Sequence, residues 1–203
     1  MLYEKCAEVN EGFWEELGRA DPAEVCRRTG AVFRENSYRL PFLNRELVVE
    51  PRERRVVIAG AEDAEPGFRL CLTALLYLLR VDPKTLGPLV SPLELTGGTT
   101  FFQKSGPHAL PNPLLEKRFG RDLAGFLQTG ERLGAVVRPA GDAALAFQVF
   151  PGLQVEVILW LADEEFPAQV SFGVPGGLEQ IWHLDAVLGL IVVVVRELLA
   201  AAG

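Results

Sequence analysis

The stretch 141-GDAALAFQVFPGLQVEVILWLADEEFPAQVSFGV-174 decides the fold. Residues 143–150 read as one strand and 153–162 as the next, a hairpin rich in β-branched and aromatic side chains. The acidic turn 163-DEEFP-167 leads to a further strand over 168–174. A loop, 175-PGGLEQ-180, then precedes 181-IWHLDAVLGLIVVVVRELL-199, an apolar segment read as a helix. Its valine run competes with that reading, because β-branched residues favour strands.

Towards the N-terminus the same plan recurs. The run 38-YRLPFLNRELVVE-50 alternates, passes Pro51 and a charged turn, and meets 55-RVVIAG-60 as a hairpin. Pro41 marks an edge or an irregularity there. The acidic turn 61-AEDAEPG-67 leads to a mostly buried helix, 68-FRLCLTALLYLLR-80, which Asp82-Pro83 and Gly87-Pro88 break. Aligning 42-FLNRELVV-49 with 152-GLQVEVIL-159 pairs Leu43 with Leu153 and Glu46 with Glu156. An internal duplication is one reading of that match, and two common motifs looking alike is the other. Between the halves, 113–134 gives two short helices separated near Gly120. Ahead of them, Leu2, Cys6, Val9, Phe13 and Leu17 describe one helix face. In 21-DPAEVCRRTG-30, Asp21 caps a helix, Pro22 suits its first position, Glu24 has capping-box spacing and Gly30 stops it.

The expected fold is therefore α+β: two β-hairpin-plus-helix units, a possible duplication, forming largely antiparallel sheet packed with helices after an N-terminal helical segment. One domain over 1–203 is expected, with N-terminal helices in 1–30, a first half in 31–95, a loop and helices in 96–140, and a second half in 141–203.

Composition narrows the function. Apolar residues make up 49% of the chain, enough for a substantial core. The net charge of −7 repels phosphate backbones, and the best basic cluster, 52-RERR-55, is interrupted by Glu53, so nucleic acid is not an expected partner. The N-terminal MLYEKCAEVNEGFWEEL has neither a basic n-region nor a continuous apolar run, and the uncharged part of 186-AVLGLIVVVVRELLAAA-202 ends at Arg196, short of a membrane span. A soluble, cytoplasmic protein without membrane insertion is expected. Cys6, Cys26 and Cys71 are widely spaced, with no CxxC, and are expected to be three reduced thiols.

The segments 91-SPLELTGGTTFF-102, 107-PHALPNPLLEKRFG-120, 141–174 and 183-HLDAVLGL-190 resemble a bacterial and archaeal family catalogued only as a domain of unknown function. Cys26-Arg27-Arg28-Thr29-Gly30-Ala31 fits the family's early helix and turn, and the resemblance runs from about Glu24 onward. The resemblance implies a setting largely in anaerobes, with some members carrying an appended iron–sulfur domain, and no settled activity. It suggests redox or one-carbon metabolism beside corrinoid or haem chemistry. This chain has no clustered cysteines, so any such cluster is expected on a partner, an iron–sulfur or corrinoid protein, and not as an intrinsic cofactor.

Candidate site residues gather in 94-ELTGGTTFFQKSGPHALPNPLLEKRFG-120. Gly97, Gly98 and Thr99 suit a turn before a strand Thr99–Phe102, or a nest of amides for an anion. No Walker loop or dinucleotide fingerprint is present, and no HExxH or Gly-x-Ser-x-Gly. His108 sits between Pro107 and Pro111 in a stiff loop, and His183 follows Trp182 at the start of the last helix. Two neutral imidazoles could ligate the metal of a haem or corrinoid, or do acid–base work if Asp185 or Glu94 orients one. Asp163-Glu164-Glu165 reads as a solvated turn, and inward-facing Glu46 and Glu156 could form a carboxylate pair. Three functions follow. The first is a ligand- or cofactor-binding accessory protein with Gly97, Gly98, Thr99, His108, Trp182 and His183 at its site. The second is an interaction module for a metalloprotein. The third is an enzyme using His108 and His183.

Overall fold

The computed structural model describes residues 4–61 and 65–203. They form an α+β fold with two antiparallel sheets, flanking helices and an N-terminal helical region. Leu2 and residues 62–64 of the first acidic turn lie outside the described residues. The chain divides into two compact units, Met1–Thr85 with Phe150–Gly152, and Leu86–Val149 with Leu153–Gly203.

In the first unit a 3₁₀ turn at Cys6–Glu8 precedes α1 (Glu11–Arg19). The helix face expected from Leu2 to Leu17 is thus interrupted, because the Asn10 side chain accepts from the Gly12 amide and starts a new helix. Helix α2 (Pro22–Thr29) begins with Asp21 accepting from Ala23 and ends at Gly30, whose φ of +73° is open to glycine. Glu24 closes no capping box; it pairs instead with Arg28 at 3.2 Å.

Strands β1 (Val32–Arg34), β2 (Ser37–Phe42), β3 (Arg45–Glu50) and β4 (Arg55–Ile58) follow as an antiparallel meander in that order. Glu35 and Asn36 both take positive φ, which matches a two-residue turn to the twist of its strands. The run 38–50 is two strands, not one, because Leu43 at φ +51° reverses the chain. Tyr38, Leu40, Phe42, Leu47 and Val49 alternate onto the buried face. Pro41 is tolerated because the pairing of β1 stops at Arg39. Leu43 therefore lies in a turn, whereas Leu153 is a fully buried strand residue.

Helix α3 (Phe68–Arg80) buries Leu75, Tyr77 and Leu78 completely. Arg28 donates to the Leu78 and Val81 carbonyls at 2.7 and 2.5 Å and covers the helix end. The Tyr77 hydroxyl reaches the carbonyls of Thr29 and Pro151 at 2.8 and 2.6 Å. The expectation of three free thiols is corrected here: Cys6 and Cys71 form a disulfide, and Cys26 is the free cysteine. Burial raises the Cys26 thiol above its usual range, and a hydrogen bond with the Phe33 backbone partly offsets this. Both bonded cysteines are buried, one on the 3₁₀ turn and one on α3. Sequence spacing gives no hint of this, since the two lie 65 residues apart.

In the second unit β5 (Leu89–Val90), β6 (Val136–Arg138), β7 (Ala143–Phe150), β8 (Leu153–Trp160) and β9 (Gln169–Pro175) form one sheet in the order β5-β9-β8-β7-β6. Helix α4 (Gly98–Phe101) is a single turn, so the strand expected over Thr99–Phe102 is corrected to helix. Helices α5 (Asn112–Phe119) and α6 (Leu123–Arg132) flank Gly120 as the sequence predicts. Helix α7 (Leu184–Ala201) absorbs the valine run. Ile191, Val194 and Val195 are buried there, and that burial outweighs their poor helix propensity. At Gly130 on α6, a Cβ would lie 2.5 Å from Leu145 Cδ1, so helix and strand meet at a distance that glycine sets. Arg118 and Arg132 donate to the carbonyls of Ala202 and Ala201 at 3.1 Å each and cover the end of α7. No helix among the described residues is long and apolar enough to cross a membrane.

Two measurements check this account. Unfolded protein prepared without reductant is expected to titrate one thiol, and three after reduction. By loop-closure entropy, reduction should lower stability by about 4 kcal/mol for a ring of this size. The second compares two tyrosines. Tyr77→Phe strands two carbonyls and should cost about 1–3 kcal/mol in denaturant melts. The Tyr38 hydroxyl is buried without a partner among the described residues, so Tyr38→Phe should not lower stability at neutral pH. Burial, with the charges of Cys26, Asp21 and Glu24 adding to it, pushes the Tyr38 phenol up to about 12. The folded chain thus holds this proton longer than the unfolded one. Its stabilisation is complete below pH about 10 and lost as pH climbs from there to the folded value. Tyr38→Phe should flatten that alkaline loss.

Candidate functional site

The segment from Ser91 to Pro111 and the start of α7 come together in the second unit. Ser91 and Glu94 form a capping box: Leu93 N donates to Ser91 Oγ at 3.3 Å and Ser91 N to Glu94 Oε1 at 3.0 Å. Glu94 is thereby committed to the backbone and does not orient a histidine. Gly97 then takes φ +79°, and its missing Cβ would sit 3.7 Å from Leu184 Cδ1. At Gly98 a Cβ would lie 2.2 Å from the Pro92 carbonyl, so Gly97 serves its positive φ and Gly98 a close backbone approach. Thr99 lies exposed on α4.

The amides of this turn are largely used internally. Gly98 N donates to Leu95 O at 2.8 Å. Thr96 N and Thr96 Oγ1 donate to Glu179 Oε1 at 3.4 and 3.3 Å. The anion beside the paired glycines is therefore a carboxylate of the chain itself.

Glu179 belongs to the 3₁₀ turn Leu178–Gln180, which Gly177 enters at φ +84°. Trp182 follows and is 3% exposed, with its amide donating to Leu178 O at 2.9 Å. Trp182 lies just past the turn, three residues after Glu179. Glu179 Oε2 and Trp182 Nε1 are both buried, and neither has a hydrogen-bond partner among the described residues. One accepts and the other donates. Sequence reading found Trp182 but missed Thr96 and Glu179, whose contact spans 83 positions.

The two histidines differ. His108 stacks on Phe101 with ring centroids 4.2 Å apart and planes 17° apart, and its Nε2 lies 3.6 Å from Asp185 Oδ1. Phe102 packs edge-on to Phe101 and is buried, which fixes the platform. His183 is the exposed N-cap of α7, and its carbonyl accepts from Ala186 at 2.8 Å. No hydrogen bond or ion pair joins the two imidazoles.

Among the described residues no group of three or more His, Cys, Asp or Glu is arranged to hold a metal ion. Glu46 pairs with Arg39 at 3.3 Å in the first unit, while Glu156 on β8 lies opposite Gly173 on β9 in the second. Each belongs to the sheet of its own unit. Asp163 spends its carboxylate on the amides of Phe166 and Glu165, which hold it below the usual range.

The chain matches no curated protein and no solved structure. A family model spans most of it, covering part of each unit and every residue of the site above. With residues 21–197 matched, the chain belongs to the family described as Domain of unknown function (DUF3786).

Proposed function

We propose that this chain is a ligand-binding accessory protein, with its site where Thr96–Phe102 and His108 meet the stretch from Glu179 to Asp185. One observation carries the reading. Two buried polar groups of opposite hydrogen-bonding character, Glu179 Oε2 and Trp182 Nε1, lie three residues apart in the chain and have no partner among the described residues. Buried polar groups in folded proteins nearly always find a partner, and each one left bare costs roughly 1–3 kcal/mol. A ligand group that both donates and accepts, such as a hydroxyl or a primary amide, answers both at once. His108, stacked and partly exposed, then stands at the solvent-facing rim with Asp185.

Haem or corrinoid binding through His108 and His183 has less support. With Nε2 turned to Asp185, His108 has Nδ1 left for a metal, and Nδ1 adjoins its own backbone, which crowds a macrocycle. The enzyme reading draws on the same contact, because a carboxylate beside an imidazole can orient it for acid–base work. At 3.6 Å the pair is longer than a hydrogen bond and would have to tighten with substrate bound.

The test is the indole N–H resonance of Trp182, identified by its loss in Trp182→Phe. Titration uses acetamide, ethylene glycol, haemin and hydroxocobalamin in turn. Acetamide or the glycol should move the resonance saturably, and Glu179→Gln should weaken the effect about tenfold, the worth of one hydrogen bond. A resonance moved by none of the four, with a cross-peak to a long-lived water, assigns the two groups to an internal water and overturns the proposal. A shift produced by haemin or the corrinoid alone restores the macrocycle reading in its place.

A further inference from the structure

Two features of opposite charge lie side by side where β8 turns into β9. The first is the loop 161–168. Asp163 N donates to Phe166 O at 3.0 Å, and Asp163 Oδ1 accepts from the amides of Glu165 and Phe166 at 2.8 and 2.6 Å. This closed turn presents Phe166 outward, 61% exposed, directly after the exposed Glu164 and Glu165. Among the described residues neither glutamate has an ion-pair partner.

The second feature is a groove of about 520 Å³ bordered by Pro113, Lys117, Arg121, Ala162, Pro167 and Ala168. The other charges lining it are committed. Glu116 accepts from Val170 N at 3.1 Å, and Arg118 pairs with Asp122 at 3.0 Å. Lys117 and Arg121 are exposed and pair with no carboxylate among the described residues. Leu114, one turn before Lys117 on α5, is 53% exposed.

An acidic loop tipped by a phenylalanine thus adjoins an apolar-walled groove with two uncommitted cations. Such a surface is complementary to itself. A two-fold axis through the boundary sets each Phe166 into the other copy's groove and each Glu164–Glu165 against the other's Lys117 and Arg121, which is an isologous contact. The volume is ample, since about 150 Å³ accommodates a benzene ring. We propose that two copies of this chain associate through this face, Phe166 of each seated in the groove of the other and the glutamates paired across with Lys117 and Arg121. Nucleic acid and anionic lipid are poor alternatives, because the glutamates repel phosphate. This inference is independent of the ligand site.

Sedimentation equilibrium tests it over about 1 μM to 1 mM, the span of weak association. The mass should rise from one chain of 22.3 kDa towards two, and added salt should oppose the rise. Phe166→Ala should weaken association about tenfold or more. The paired reversals Glu164→Lys/Glu165→Lys and Lys117→Glu/Arg121→Glu should each leave a monomer. Mixed together, these two variants should form a one-to-one complex, since each loop then meets a groove of opposite charge. A monomer throughout gives the face to a different partner and overturns the proposal. So does a dimer that ignores both reversals, or a mixture that fails to associate. The substituted side chains are solvent-exposed, and circular dichroism of each variant separates lost association from lost fold.

Discussion

The second unit is organised by the need to cover α7. Ten of its residues are buried, from Ala186 to Leu198, and they leave few directions free for water. A helix apolar nearly all round is stable in water only if other elements surround it. The sheet, α5, α6 and the turn before Trp182 all contact it, and arginines from α5 and α6 cover its carbonyl end. The site residues are a by-product of that enclosure. The turn that lets the chain enter α7 carries Glu179 and Trp182, and the Ser91–Pro111 segment closes over the same end.

Much of this was legible from residues alone. Strand β7 reads as buried because its side chains are apolar on both faces, and β8 because its side chains alternate. Helix α2 carries its own start and stop in Asp21, Pro22 and Gly30. The misreadings have physical causes. Leu43 reverses the chain at a positive φ that a leucine rarely adopts, so a real turn looked like the middle of a strand. Thr99 and Phe101 are good strand formers, yet the chain takes one helical turn there, entered through Gly97 at positive φ and Gly98 packed against the Pro92 carbonyl. Residues already singled out by chemistry, His108 and Trp182, do gather at one place. Their working neighbours, Thr96 and Glu179, carried no local signal, because a contact across 83 positions is written in the fold and not in any window of sequence.

The disposition of carboxylates separates structural from available charge. Glu94 caps its own turn, Glu116 holds the Val170 amide, Asp163 closes its loop and Asp122 starts α6. Each is satisfied by a backbone group near it. Glu179 is different: one oxygen holds Thr96 and the other has no donor among the described residues. Its second oxygen is shut away from water, unlike the uncommitted carboxylates of the exposed Glu164 and Glu165.

The bond between Cys6 and Cys71 also makes most of the first unit a covalent ring. Helices α1 and α2 and all four strands of its sheet lie between the two sulfurs along the chain. A protease that cuts once inside the ring therefore produces no fragment. The nicked molecule gains only the water of hydrolysis, and its two new ends stay on one covalent molecule. Damage of that kind is silent until a reductant opens the bridge.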